Sequence, residues 1–337
     1  MKAKENYDYS ISFIRLVSTV LIITCHFMQY FGNGLAWWLN VGVQIFLCMS
    51  GYLYGKRDKI SDDMAFYRNN FIKILADYYV VIIPVILLYN IFFPQYISIM
   101  TAVKALLTYG TVLGGEHLWY ISYCLFCYLM TPFLFRYFKR DKHIVRSFLV
   151  LSILAIAMTE TFFKYFNSAW IFCYILGFFL GNISSRESEI YRRISFLVVV
   201  GAVLFNSFRV LQDYFLKLEF NGTAASVYGK LCSYAHVFLG VALFITLKFV
   251  FSRVLMNGCP DSIPDSIKSV CLYTDKYSYD VYLVHQFFIH GPLSLMAFTS
   301  NTVLNMGLIM VIILFCAVAV NQVAALIKNR IIAERAM

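Results

Sequence analysis

The chain has 337 residues, of which 61% are hydrophobic and only 14% are charged. Soluble domains carry about 25% charged residues, so this composition excludes a soluble globular protein and predicts an integral membrane protein. Lys and Arg outnumber Asp and Glu by 28 to 18. In a soluble protein this excess would suggest nucleic-acid binding, but in a membrane protein it must first be tested against topology.

Ten runs of mostly apolar residues are long enough to cross a bilayer as helices. They lie at about 11–31, 37–54, 74–93, 118–138, 147–163, 168–184, 194–211, 229–250, 277–297 and 303–327. We therefore predict an all-α, polytopic membrane protein with about ten transmembrane helices, in which residues 1–337 form a single domain. Ten crossings place both termini on the same side of the membrane.

The basic residues are distributed unevenly between the two sides of the predicted helices. If the termini are cytoplasmic, 22 of the 28 Lys and Arg residues lie on the cytoplasmic side, five lie on the opposite side, and Arg15 lies within the first span. The positive-inside rule then predicts cytoplasmic termini. The net charge of +10 is mostly this topological signal, so we expect no nucleic-acid partner.

The first span contains two ionisable residues, Arg15 and His26. Eleven helical steps return to nearly the same face, with the two groups about 16 Å apart along the axis. Arg15 would lie near the inner face and His26 past the midplane. His26 alone could be a core histidine that is hydrogen-bonded to a neighbouring helix. Two aligned ionisable groups instead indicate a polar interior that holds water or a ligand.

Cationic residues also occur at the inner end of the third span, in the segment Phe66 to Leu75. Arg68 and Lys73 in this segment could bind an anionic cytosolic ligand such as a nucleotide phosphate. Taken alone, they are more typical of ordinary positive-inside residues.

A polar and aromatic segment marks the outer entrance of the fourth span. Glu116, His117, Trp119 and Tyr120 could bind a sugar through hydrogen bonds and ring stacking. The two aromatic residues fit an interfacial aromatic belt equally well.

The ninth span contains two buried ionisable residues, Asp280 and His285, together with the hydroxyls of Ser278, Tyr279 and Tyr282. These groups either help to form the polar interior or lock helices together through interhelical hydrogen bonds. The packing role is slightly favoured for this segment when it is considered alone.

Together and in this order, the four segments resemble the membrane acyltransferase-3 family, whose members acylate extracytoplasmic glycans and related molecules. The most specific element of the resemblance is the arginine, ten residues and histidine of the first span. The matching segments, which cover most of the chain, are Ile11 to Arg15 with Cys25 and His26, Phe46 to Leu53, Phe66 to Leu75, His117 to Tyr120 with Tyr128 and Pro132, and Ser278 to His285.

The resemblance implies an O-acyltransferase that moves an acyl group, commonly acetyl, from cytosolic acyl-CoA to a hydroxyl of a glycan or lipid-linked sugar at the outer leaflet. Arg15 and His26 fall on the essential pair of the family. Its Arg-x-x-Arg motif falls on Asn70 and Lys73, so the first arginine is lost and the second is changed to lysine. Lysine cannot reproduce a bidentate guanidinium contact, and we expect Arg68 to substitute.

We expect His26 to act as the general base on the acceptor hydroxyl, with an acyl-histidine intermediate as the less favoured variant. Arg15 is the second catalytic residue of this prediction. The expected acyl-CoA ligands are Arg68, Asn70 and Lys73. The residues expected to bind the acceptor are Glu116, His117, Trp119, Asp280 and His285, and we expect no metal.

The resemblance also implies a multi-pass protein of the bacterial inner membrane. Many members carry a C-terminal extracytoplasmic esterase-like domain, and we expect this protein to be a stand-alone form without it. Either the ten-helix unit would then act alone, or a separate glycan-assembly or esterase-like partner would complete the transfer. The competing class is a proton-coupled transporter of a small polar solute, because such carriers also bury Arg, His and Asp among many helices.

Overall fold

The computed structural model describes residues 7–60, 62–140, 143–163, 165–184, 187–255 and 263–333. This part of the chain contains helices and no strand. Its α-helices are α1 (Tyr9–Tyr30), α2 (Leu35–Leu39), α3 (Val41–Gly55), α4 (Asp63–Phe92), α5 (Ile99–Leu106), α6 (Trp119–Arg140), α7 (Ile144–Thr161), α8 (Ser168–Ser184), α9 (Ser188–Val210), α10 (Thr223–Val250), α11 (Asp265–Ile289) and α12 (Thr302–Ala333). The basic residues at 2, 4, 142, 164, 186 and 335, which contribute to the topology prediction, lie outside the described residues.

Eight helical segments in the described part of the chain are long and apolar enough to cross a membrane. Two further helices, α8 and α11, occupy the sixth and ninth predicted spans. With 17 residues, α8 is slightly short, but most of its side chains are buried, as expected of a helix that is apolar on all sides. The prediction of an all-α polytopic membrane protein is confirmed.

The predicted ninth span, 277–297, is wrong at both ends. α11 begins at Asp265 and ends at Ile289. The segment that follows contains Gly291, whose φ of +78° is left-handed, and then Pro292, which cannot continue a helix. The Gly-Pro pair was therefore a readable stop signal. His290 lies just after α11 and outside any helix.

The chain divides into two compact units. Unit 1 comprises Met1–Ile22, Trp37–Ser61 and Met130–Lys268, and unit 2 comprises Ile23–Ala36, Asp62–Leu129 and Ser269–Met337. Helices α1, α2, α6 and α11 each contribute residues to both units. The prediction that residues 1–337 form one domain stays a prediction.

The main helix contact of unit 1 joins α3 and α8. Gly51 and Gly55 of α3, and Gly177 and Gly181 of α8, lie where the two backbones meet. A Cβ atom at Gly177 would collide with the carbonyl oxygen of Cys48. Small residues spaced four apart allow membrane helices to approach backbone to backbone. This contact therefore requires glycine on both helices.

The start of α1 is tied to the end of α10 within unit 1. Lys248 Nζ lies 3.3 Å from Asp8 Oδ2 and 3.2 Å from Ser10 Oγ, and Ser10 Oγ donates a hydrogen bond to Asp8. Partial burial acts to raise the pKa of Asp8. Lys248 and the hydrogen bond from Ser10 outweigh that effect, so the pKa of Asp8 lies below its ordinary value.

In unit 2, tyrosines of α4 hold the segment that leads to α6. Tyr78 Oη donates to the carbonyl of Ala105 at 2.6 Å, and Tyr89 Oη donates to the carbonyl of Leu113 at 2.7 Å. Both tyrosine side chains are buried. These bonds satisfy buried hydroxyls and two carbonyl groups outside regular helix interiors.

Helix α12 is held in unit 2 by two polar contacts. Lys328 Nζ lies 2.7 Å from both carboxylate oxygens of Asp77 in α4. Seven residues earlier on α12, Asn321 Nδ2 donates to Asp280 Oδ2 of α11 at 2.9 Å. Polar groups of this kind in an apolar environment are stable only when they are paired, so they fix the position of α12 against α4 and α11.

Candidate active site

Four of the six histidines of the chain lie together in unit 2, and we call His26, His117, His285 and His290 the histidine cluster. The ring centroid of His285 lies 4.7 Å from that of His117 and 5.0 Å from that of His26. The ring of His26 lies 6.0 Å from His117 and 6.1 Å from His290. The imidazoles therefore line one small region.

The histidine cluster is formed by the ends of three helices. His26 lies one turn before the end of α1, His117 lies in the 3₁₀ turn Glu116–Leu118 that leads into α6, and His285 lies one turn before the end of α11. All three side chains are buried. The charge distribution predicts that these helix ends are extracytoplasmic, which is the side expected for an acceptor glycan.

Two glycines bring the segments that carry His117 and His290 into direct backbone contact. Gly114 and Gly291 have φ values of +76° and +78°, a conformation that L side chains rarely adopt. A Cβ atom at Gly291 would lie 2.7 Å from Gly114 Cα, and a Cβ atom at Gly114 would lie 2.6 Å from the carbonyl oxygen of His290. The contact therefore leaves no room for a larger residue.

Each imidazole of the cluster has one nitrogen bound to an oxygen that can only accept hydrogen bonds. The pairs are His26 Nδ1 with Gln29 Oε1 at 2.6 Å, His117 Nε2 with the Leu283 carbonyl at 3.3 Å, His285 Nδ1 with the Tyr282 carbonyl at 2.7 Å, and His290 Nε2 with the His26 carbonyl at 3.0 Å. In a neutral ring the bound nitrogen therefore carries the proton, and the other nitrogen has a free lone pair.

Two of these lone pairs have no partner. Both His117 Nδ1 and His285 Nε2 are buried and accept no hydrogen bond from the residues that the structure describes. A buried acceptor that stays unsatisfied costs about 1–3 kcal/mol, and such groups are rare in folded proteins. These two nitrogens therefore indicate where a hydrogen-bond donor is missing.

Glu116 and Gln286 hold the turn that carries His117. Gln286 Oε1 accepts from the backbone N–H of His117 at 2.9 Å, and Gln286 Nε2 donates to Glu116 Oε2 at 3.2 Å. The other carboxylate oxygen of Glu116 accepts from the backbone N–H of Gly114 at 3.0 Å. Both oxygens of Glu116 thus position the turn, although the residue as a whole is exposed.

The other two residues predicted to bind the acceptor, Trp119 and Asp280, lie in different surroundings. Trp119, which is half-buried, packs against Tyr123 at the start of α6 with ring centroids 5.1 Å apart. Asp280 pairs with Asn321 of α12, and its buried Oδ1 has no hydrogen-bond partner in the described part of the chain. The structure therefore brings Glu116, His117 and His285 near His26 but places Asp280 in a helix contact. Its role in acceptor binding stays a prediction.

The predicted donor residues lie in the first third of α4. Arg68 and Lys73 are exposed, and their five-residue spacing separates them by about 140° around the helix. Asn70 Nδ2 donates to the Phe66 carbonyl of the same helix at 2.7 Å. The side chains of Arg68 and Lys73 therefore leave the helix in different directions, which disfavours binding of one phosphate by both together. Arg15 is half-buried in the unit 1 part of α1.

The chain matches a family model, the acyltransferase domain of the acyltransferase-3 type, over residues 8–323. The chain belongs to the acyltransferase-3 family. The match begins just before α1 and ends within α12, so it includes every helix that contributes to the histidine cluster. The protein is therefore a membrane acyltransferase. No curated protein and no solved structure matches the chain.

Sequence reasoning missed three residues of the candidate site. His290 follows His285 by five residues inside the predicted ninth span, and its type alone could have singled it out. Gln29 lies three residues after His26, a spacing at which helical side chains meet. Gln286 gave no signal, because its two partners lie about 170 residues away in the chain.

Proposed function

We propose that this acyltransferase moves an acyl group, in the simplest case acetyl, from cytosolic acyl-CoA to a hydroxyl of an extracytoplasmic or lipid-linked glycan. His26 is the general base of this proposal. Arg15 is assigned to the donor side because the charge distribution predicts that it lies near the inner face of the membrane. The proposal includes a bacterial inner membrane with both termini in the cytoplasm.

The hydrogen bond between His26 Nδ1 and Gln29 Oε1 at 2.6 Å carries the assignment of the base. An acceptor that holds one imidazole nitrogen orients the ring and leaves the other nitrogen free to take a proton, as the buried carboxylate does in catalytic triads. Imidazole is the side chain most suited to proton transfer near neutrality. His26 also lies within one region with three further imidazoles, which supports a polar interior rather than an isolated core histidine.

The proposed reaction is balanced without any further reactant. The acceptor oxygen attacks the thioester carbonyl carbon while His26 Nε2 takes the hydroxyl proton. The carbon–sulfur bond breaks, the ester carbon–oxygen bond forms, and the proton passes from His26 to the CoA thiolate. The products are the acylated glycan and CoA, and His26 returns to its neutral form.

The test uses membranes that contain the full-length protein, radiolabelled acetyl-CoA and the cell-surface glycan fraction. His26→Ala and His26→Gln should reduce label transfer to glycan by at least about 100-fold, the lower limit for loss of a general base. His143→Ala changes an exposed histidine of unit 1 and should leave transfer unchanged. Normal transfer by a His26→Ala protein that is present at the wild-type level in the membrane would refute the assignment.

The ion pair between the buried Asp77 and the partly exposed Lys328 supports a second candidate, a proton-coupled transporter, because paired charges within membrane helices are also typical of carriers. Vesicles separate the two functions. Accumulation of a polar solute without release of CoA supports the transporter, whereas CoA release coupled to glycan labelling supports the acyltransferase.

A further inference from the structure

The two unpartnered nitrogens of the histidine cluster are not explained by a single general base. The proposed reaction uses only Nε2 of His26. His117 Nδ1 and His285 Nε2 are buried as well, and no donor among the described residues reaches either of them. Their rings lie 4.7 Å apart, and both lie next to the ring of His26. The three imidazoles therefore lie close enough together for us to look for one ligand that they share.

The chemistry of these nitrogens restricts that ligand. Each is an acceptor because the opposite nitrogen donates to a backbone carbonyl. A thioester carbonyl, a carboxylate or an ionised phosphate can only accept hydrogen bonds, so none of them satisfies the two nitrogens. Hydroxyl and amide N–H groups can.

We infer that the acceptor is a sugar unit with at least one free hydroxyl next to the hydroxyl that is acylated. The reacting hydroxyl then donates to His26, while the neighbouring hydroxyl donates to His285 or His117. Neighbouring sugar hydroxyls are carried by two directly bonded carbon atoms, so their oxygens lie close together. Two such hydroxyls can therefore reach two imidazoles that lie side by side. This inference rests on the proposed function, because it names the acceptor of the same reaction.

Acyl-CoA is the other source of donors, since its pantetheine arm contains two amide N–H groups. The acceptor is favoured because the histidine cluster lies at helix ends that the charge distribution predicts to be extracytoplasmic. Ordered water is the third source, since it satisfies many buried polar groups. The experiments below separate all three.

The first experiment maps the product. Surface glycan is isolated from cells that contain the protein and from cells that lack it, and NMR locates the acyl group that depends on the protein. We expect it on a hydroxyl that has a free hydroxyl on an adjacent carbon. An acyl group on a hydroxyl whose neighbours are all substituted, absent or nitrogen would overturn the inference.

The second experiment compares two substitutions of His285 in membranes, with the glycan from cells that lack the protein as acceptor. His285→Gln keeps an acceptor oxygen close to the position of Nε2, whereas His285→Leu removes it. We expect His285→Leu to raise KM for the glycan about tenfold and to leave KM for acetyl-CoA unchanged, and His285→Gln to stay within about threefold of wild type.

The control is the corresponding pair at His236 in unit 1. His236 is also buried, and its Nε2 likewise has no partner among the described residues. Neither His236→Gln nor His236→Leu should separate the two KM values. If His285→Leu does not reach the membrane, His117→Asn and His117→Leu provide the same comparison, because the asparagine oxygen replaces the Nδ1 acceptor.

The results distinguish the sources of the donor. A rise in KM for acetyl-CoA instead of the glycan would assign the nitrogens to the pantetheine arm, and unchanged KM values for both substrates would assign them to water. Either result would overturn the inference and leave the acyltransferase proposal standing. Absence of any acyl group that depends on the protein would instead refute the proposed function itself.

Discussion

The ion pair between Asp77 and Lys328 allows a quantitative prediction, because its two partners differ in exposure. Lys328 Nζ lies 2.7 Å from both oxygens of Asp77. The Asp77 side chain is 5% exposed, whereas that of Lys328 is 23% exposed. A lysine with a flexible stem can move its ammonium toward water when it loses its partner. A buried carboxylate cannot move toward water in this way. Removal of Lys328 and removal of Asp77 should therefore lower the free energy of unfolding by different amounts.

We expect Lys328→Met to lower the free energy of unfolding by about 3 kcal/mol. Breaking a buried pair costs about 3–5 kcal/mol because the remaining charge stays buried, and Lys73, one helical turn before Asp77, compensates in part. Asp77→Leu should cost about 1 kcal/mol, as for a partly exposed pair. The double variant Asp77→Leu/Lys328→Met should return to within about 1 kcal/mol of wild type, because hydrophobic replacement of a buried pair is often neutral.

The assay is a double-mutant cycle on the free energy of unfolding of the purified full-length protein in one detergent. Arg330→Met, which removes an exposed cation from the same helix, is the control and should change stability by less than about 0.5 kcal/mol. Additive costs of the two single variants, or a greater cost for Asp77→Leu than for Lys328→Met, would refute the reasoning.

Gly291→Ala should reduce acyl transfer more than tenfold, because the added Cβ would lie 2.7 Å from Gly114 Cα at a positive φ, and backbone strain of this kind costs about 1–3 kcal/mol. The control is Gly307→Ala, whose Cβ would meet no described atom within 4 Å and which should have no effect. Equal activity of the two variants would contradict the proposed contact. Lys73→Gln should raise KM for acetyl-CoA and leave KM for the glycan unchanged. Lys73→Arg, which keeps the positive charge, should retain the wild-type KM for acetyl-CoA. Equal changes in KM for acetyl-CoA and KM for the glycan would remove Lys73 from the donor site. Asp8→Asn should lower the free energy of unfolding by less than about 1 kcal/mol at neutral pH, since the pair with Lys248 is partly exposed. Because the pKa of Asp8 is lowered on folding, this difference should be lost as the pH falls through that pKa, and a difference that persists in acid would count against the ion pair.

Most of the fold could be predicted because membrane helices are long apolar runs. The sixth span was predicted at 168–184, the bounds of α8. The start of α4 was placed eleven residues too late, although Asp62 is a readable N-cap whose side chain accepts from the Met64 backbone N–H. The first half of α11 was missed because it is polar, and hydropathy detects apolarity rather than helix formation.

The candidate site could be predicted only residue by residue. An ionisable histidine in an apolar span is energetically costly and therefore indicates a functional role. This argument identified His26 and His285 from the sequence. Their meeting with His117 depends on contacts between residues about 90 to 260 positions apart, and periodicity along one helix carries no information about such contacts. The pairing of Asp77 with Lys328, 251 positions apart, was hidden for the same reason.

The glycine contact between α3 and α8 can form only after α8 has been synthesised, which is about half-way through the chain. α3 ends at Gly55 and α8 begins at Ser168, a separation of 113 positions in the chain. At about 5–20 residues per second, roughly 5–25 s pass before the ribosome has made the partner of α3. During this time the glycines Gly51 and Gly55 lack the α8 backbone that they contact in the complete structure. The period before α8 is inserted is therefore when unit 1 is most open to wrong helix pairing.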